Sequence, residues 1–300
     1  MLSLRGFLGA IFLCLTACGP GGDASLPDTG FTLPYRLNDP DTVWTLPPAL
    51  REISGLGLSA DGNQLLAIND EEGMVYFLDC QTGAHTDHRA FGPGRDYEGV
   101  EAVGTDIFAV RSNGSLYQIP LTGETISYPT PLYGKYDVEG LCYDSARQRL
   151  LLACKGMAGK ADSLRHKKVI YAYNLKKHRL ENAPAFVIDR AEIARWKGGD
   201  SGFGARLSEF FSSDDAPSAF GPSGLAICPL DGNLYVLAAV GKALAVLAPD
   251  GRILYVERLD PELLPQPEGI CFDREGRLYI CTEGKKADGR IVRFSRLSAH

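Results

Sequence analysis

Residues that most often carry chemistry are scarce in this chain. Histidine occurs five times in 300 residues, at His85, His88, His166, His178 and His300, and none lies near the repeated steps that organise the sequence. There is no Cys-x-x-Cys pair and no histidine beside a cysteine, which excludes the common zinc sites. The Gly-x-Ser-x-Gly elbow of serine hydrolases is missing. Gly199-Asp200-Ser201-Gly202 has the look of a nucleophile loop, but no strand precedes it. The EF-hand loop pattern is also absent. Basic charge is in deficit, 31 Lys and Arg against 37 Asp and Glu, for a net charge of −6. A phosphate-binding surface needs the opposite balance, so nucleic acid is excluded as a main partner.

What the chain does have is glycine and a repeat. Glycine (34) and proline (18) are plentiful, as many tight turns require. The step Glu-Gly-apolar recurs at Glu98-Gly99-Val100, Glu139-Gly140-Leu141 and Glu268-Gly269-Ile270. Serine replaces glutamate at Ser54-Gly55-Leu56 and Ser223-Gly224-Leu225. The five glycines lie 44, 41, 84 and 45 residues apart. A period in the low forties, each unit reading as short strands, is the mark of a β-propeller blade. Asp61-Gly62, Asn113-Gly114, Asp231-Gly232 and Asp250-Gly251 supply hairpin turns between those strands.

The expected fold is therefore all-β, a five-bladed β-propeller over residues 35–300. The last blade, from Glu268, has only three strands before the chain ends. The isolated strand candidate at 42–46 is its missing fourth, an arrangement that closes the ring and removes open edges. The 84-residue gap equals two periods. Six blades are the alternative, but residues 190–222 contain no Glu-Gly step and no alternating run. They read instead as a short helical insertion after blade three, with Ala191–Trp196 and Arg206–Phe211 as its helices. That insertion is a candidate lid or partner contact.

Ahead of the propeller, residues 1–18 read as a leader. Arg5 supplies the positive end, Phe7–Leu15 the apolar stretch, and Leu15-Thr16-Ala17-Cys18 resembles a bacterial lipobox. Cys18 is then the lipidated first residue of the mature protein, and Gly19 after it implies sorting to the outer membrane, with the inner membrane the other destination. Residues 19–34, rich in Gly, Pro and Asp, read as a flexible tether. Export places the six remaining cysteines in an oxidising compartment. Cys142/Cys154 and Cys271/Cys281 occupy equivalent positions in two blades, as buried core residues or as cross-strand disulfides.

The inner strands of a propeller surround its central channel, so the residue before each repeated glycine belongs to one ring: Ser54, Glu98, Glu139, Ser223 and Glu268. Glu52, Asp96 and Asp137, two residues earlier, add to the rim. Oxygen ligands converging on one axis suit calcium. The competing reading is a structural salt-bridge ring, because Arg111 and Lys155 stand at the ends of the second strands of the Glu98 and Glu139 blades. Asn69-Asp70-Glu71-Glu72 and Thr282-Glu283 are further acids at strand exits, alternative ligands or solvated loops. The basic stretch Lys155–Lys168 (KGMAGKADSLRHKK) is a solvated loop or an anion contact.

The chain resembles the SdiA-regulated (YjiK) family of bacterial envelope propellers from about Tyr35 to Phe294. The resemblance is carried by Trp44-Thr45-Leu46-Pro47, Glu52-Ile53-Ser54-Gly55-Leu56, Tyr97-Glu98-Gly99-Val100, Val138-Glu139-Gly140-Leu141, Pro222-Ser223-Gly224-Leu225 and Pro267-Glu268-Gly269-Ile270. It implies a five-bladed, envelope-associated propeller with a calcium site and no established activity. A more distant similarity is to gluconolactonase-like and phytase-like propellers, where axial calcium assists hydrolysis. Two readings of function follow. One is a lipid-anchored, calcium-binding, non-catalytic module facing the periplasm, with an envelope protein or small molecule as partner. The other is a calcium-dependent hydrolase of a phosphoester or lactone, with Glu139 or Glu98 as base.

Overall fold

The computed structural model describes residues 29–196, 220–284 and 287–298. Cys18, most of the expected tether, the expected second helix of the insertion and the Gly199–Gly202 loop lie outside the described residues.

Five antiparallel sheets follow one another along the chain. Blade one is β2 (Ile53–Leu58), β3 (Gln64–Asn69), β4 (Met74–Asp79) and β5 (His85–Ala90). Blade two is β6 (Tyr97–Val103), β7 (Asp106–Arg111), β8 (Leu116–Ile119) and β9 (Ile126–Tyr128). Blade three is β10 (Val138–Asp144), β11 (Arg149–Cys154) and β12 (Lys167–Asn174). Its outer edge is shared by β13 (Arg179–Leu180) and β14 (Phe186–Asp189), which pair with opposite ends of β12. Blade four is β15 (Gly221–Ile227), β16 (Leu234–Val240), β17 (Ala243–Leu247) and β18 (Ile253–Arg258). Blade five is β19 (Pro267–Phe272), β20 (Leu278–Thr282) and β21 (Arg290–Phe294), completed by β1 (Thr42–Thr45) from the other end of the chain. The closing register sets Thr42 opposite Arg293 and Trp44 opposite Ile291.

The turns hold because their acids and amides bind the chain locally. Asp61, Asn113, Asp231 and Asp250 each accept, through Oδ1, the backbone N–H two residues on, at 3.0–3.1 Å. The glycine between has positive φ, +81°, +76°, +71° and +93° in the same order, a conformation other residues adopt only at a cost.

The inner strands β2, β6, β10, β15 and β19 touch in sequence and then close on β2. Five apolar clusters fill the five interfaces between neighbouring blades. Each blade buries both faces, which is why its inner strands read as continuous apolar runs rather than alternating ones. Helix α1 (Arg190–Arg195) follows β14, and Asp189 caps it by accepting the Ala191 N–H at 2.8 Å. Ile193 and Trp196 are buried in the interface of blades three and four, so this part of the insertion is a wedge rather than a lid.

One expectation changes, and one pair of alternatives is decided. The tether was expected to run to Pro34, yet Thr29 Oγ1 donates to Leu254 O at 2.8 Å and Leu33 is buried against blades four and five. The docked domain therefore begins earlier. The six described cysteines are free thiols, all buried. Cys142 stands opposite Leu151, three residues short of Cys154, so the two thiols face different blade interfaces. Cys271 is opposite Tyr279, two short of Cys281.

Candidate functional site at the channel mouth

The five ring residues share one backbone irregularity. Ile53 pairs with Asn69 and Gly55 with Ile68, leaving Ser54 without a partner. The same slip occurs at Glu98, Glu139, Ser223 and Glu268. Each ring residue is thus the extra residue of a β-bulge, a device that re-aims a side chain at a strand end. The glycine after it is there for close approach. A Cβ on Gly99 would stand 2.7 Å from Leu141 Cβ and 2.9 Å from Leu141 N, and one on Gly269 would stand 2.6 Å from Leu56 N.

Serine and glutamate do different work at this one position. Ser54 Oγ donates to Tyr97 O at 2.6 Å, and Ser223 Oγ donates to Pro267 O at 2.8 Å while accepting the Ala239 N–H. Each serine clamps its blade to the residue just before the next blade's glutamate. Their hydroxyls are spent on structure. Among the described residues Glu98, Glu139 and Glu268 make no such clamp, and their carboxyls are left at the mouth.

Among the described residues, one cation, Lys155, acts on all three acids. Lys155 Nζ lies 3.1 Å from Glu139 Oε1, as the salt-bridge reading expected. The other expected pairing is missing. Among the described residues no ion pair joins Arg111 to Glu98, and Arg111 Nε is buried without a hydrogen-bond partner. Burial, then the charges of Glu139 and Glu268, hold the Glu98 carboxyl far above the ordinary range. Burial and the charges of Glu139 and Glu283 push Glu268 up to about 8. Glu139 is raised by burial despite Lys155. The ammonium of Lys155 is raised because the gain from Glu139 and Glu268 outweighs burial.

Outside the ring, Glu52 stays exposed at the rim. Asp70, grouped in sequence with loop acids, belongs to the site instead. Its Oδ1 is buried with no hydrogen-bond partner, its pKa is raised by burial and then by Glu52, and its charge acts on both Glu98 and Glu139. Its neighbours do otherwise. Asn69 ties down Ala49 O and the Glu72 N–H, and Glu72 accepts the Tyr76 hydroxyl. Among the described residues no three His, Cys, Asp or Glu side chains stand together as a ready metal site. In the basic loop, Lys168 is buried and donates to the carbonyls of Lys155 and Gly156. Burial pushes its amine down to about 8. It braces the segment bearing Lys155 rather than facing an anion.

No family model and no curated protein matches the chain. Solved structures do. Hydrazine synthase of Kuenenia stuttgartiensis is 11% identical, with a TM-score of 0.50 over 83% of this chain and 84% of that one. A luciferin-regenerating enzyme is 11% identical, TM-score 0.49, over 86% and 97%. The PQQ-bound aldose sugar dehydrogenase of Streptomyces coelicolor is 15% identical, TM-score 0.47, over 86% and 99%. Identities this low speak to fold alone. With five sheets in ring order and the first strand completing the last blade, the chain is a five-bladed β-propeller with three glutamates at one channel mouth.

Proposed function

We propose that this protein is a binding propeller, tethered in the bacterial cell envelope through Cys18, whose channel mouth takes a hard cation, calcium by preference. The observation that carries the reading is the charge imbalance at the mouth: among the described residues, Glu98, Glu139 and Glu268 share the ammonium of Lys155. Carboxylates kept this close retain protons at neutral pH unless positive charge arrives. The donor set fits: every candidate ligand atom is a carboxylate oxygen, Glu98 has no ion-pair partner among the described residues, and Asp70 Oδ1 is buried and unsatisfied. Glu98, Glu268 and Asp70 do not stand together as a ready site, so the ion would have to gather them, with Glu139 kept by Lys155. Calcium supplies there the positive charge that lets these carboxyls ionise. The partner recognised at this mouth is an envelope protein or a small molecule. SdiA-regulated-type propellers are the class this reading places it with.

Elemental analysis of the purified protein and melting curves with EDTA or calcium test the metal. Calcium should raise the melting temperature and release protons near pH 7. A metal-free protein whose melting ignores both additions would overturn the assignment. Labelling with radioactive palmitate, lost in Cys18→Ser, tests the anchor.

A further inference from the structure

The inner strand of blade two carries a second carboxylate on the far side of the channel's waist. Glu101 lies three residues beyond Glu98 on β6, about 10 Å along an extended strand. Between them the repeated glycines and the apolar residues after them close the channel to a void of about 10 Å³, room for one water at most. Past the waist the channel opens again into a chamber of about 430 Å³. The two mouths are therefore separate compartments.

Read across the blades, the ring position of Glu101 is held by Gly57, Cys142, Ala226 and Cys271. Four small or thiol residues leave space, and one blade supplies a charge. Glu101 Oε1 accepts the Ala102 N–H at 3.0 Å and Oε2 accepts the Tyr143 N–H of blade three at 3.2 Å. These two bonds fix the carboxylate and fill about half of its roughly four acceptor positions. Among the described residues no basic side chain pairs with it. Arg274, the one cation on the chamber lining, donates to Ala60 O at 2.6 Å. Burial pushes the Glu101 carboxyl up to about 7. The thiols of Cys142 and Cys271 are held well above their ordinary value by burial, so they stay neutral. Glu101 is the one acid on the chamber lining, its open acceptor positions match a monocation, and a single carboxylate is too little for a divalent metal.

We propose that this chamber is a second binding site, for a small organic ammonium ligand whose head docks on Glu101 and whose apolar body lies against Leu58, Ile227 and Phe272. A cavity of this volume, with apolar side chains beside a few convergent polar groups, has the usual anatomy of a small-molecule site. It does not depend on calcium at the other mouth.

The test is a titration of the ¹⁵N-labelled protein with phenethylammonium and, separately, with uncharged 3-phenylpropanol. The amide resonances of Ala102 and Tyr143 should move saturably with the ammonium, and at least tenfold more weakly with the alcohol. Excess calcium chloride should leave the ammonium response in place. Glu101→Gln should weaken ammonium binding at least tenfold with little change in melting temperature. No saturable movement in the wild-type protein would overturn the proposal, as would equal affinity for the alcohol or displacement by calcium. The wild-type titration decides even if the variant folds poorly.

Discussion

Replacing Glu268 with glutamine should stabilise this protein at neutral pH and do nothing at pH 4. In the fold its carboxyl keeps a proton until about pH 8, because burial and the charges of Glu139 and Glu283 oppose ionisation. In the unfolded chain it ionises at its ordinary value of 4.5. Between those values the folded state binds a proton that the unfolded state has released, so stability falls as pH rises through the window. Below 4.5 both states are protonated and this contribution is fully present. At about 1.4 kcal/mol per pH unit, the loss accumulated from 4.5 to 7 is about 3 kcal/mol. Glutamine carries no such proton and avoids that loss while keeping the shape. For a chain of this size, 3 kcal/mol corresponds to roughly 5 °C in melting temperature. Thermal melts of both proteins in EDTA, at pH 4 and pH 7, read the effect directly. An equal shift at both pH values, or a lower melting temperature for the variant at pH 7, would refute the electrostatic account. In calcium the same substitution removes a ligand, so the calcium-induced rise in melting temperature should shrink.

Three further outcomes are expected. Lys155→Met leaves Glu139 buried beside other acids without its cation, and should cost about 2–3 kcal/mol at pH 7; in urea titrations the double variant with Glu139→Gln should recover most of that loss. Gly99→Ala drives a methyl group into Leu141 at the hub and should cost about 1–3 kcal/mol through overpacking, visible as a lower urea midpoint. Ser223→Ala removes a hydroxyl that donates to Pro267 O and accepts from Ala239 N, for a loss of about 1–2 kcal/mol measured the same way.

Much of the architecture is written locally, and local features can be read in order. The spacing of the repeated glycines, the Asp-Gly and Asn-Gly turns and the apolar strands gave five blades. The missing strand of the last blade pointed to 42–46, and Thr42–Thr45 pairs there. Even the glycine of the repeated step was legible as a close-packing residue, since the hub of a ring leaves no room for a Cβ. Cys142 and Cys154 show where this style of reading stops, because a spacing that suits a cross-strand pair puts the two thiols on opposite faces once the register is known.

The site belongs to the other category. Nothing local distinguishes a serine that clamps the next blade from a glutamate whose carboxyl is left at the mouth, because the partner carbonyl comes from a residue some forty positions away. Lys155 and Arg111 occupy comparable places in sequence, yet only Lys155 reaches its glutamate. Asp70 looked like one more loop acid until the closing of the ring buried it. Glu101 left a faint signal, a lone charge among Gly57, Cys142, Ala226 and Cys271 at one repeat position, but its meaning needed the chamber and the Tyr143 amide beside it. Sequence by itself determined the ring, because turns and strand periods are short-range properties of the chain. Which charges face one another inside that ring was decided by the tertiary structure, because proximity across blades sets burial, and burial sets the charge each carboxyl can carry.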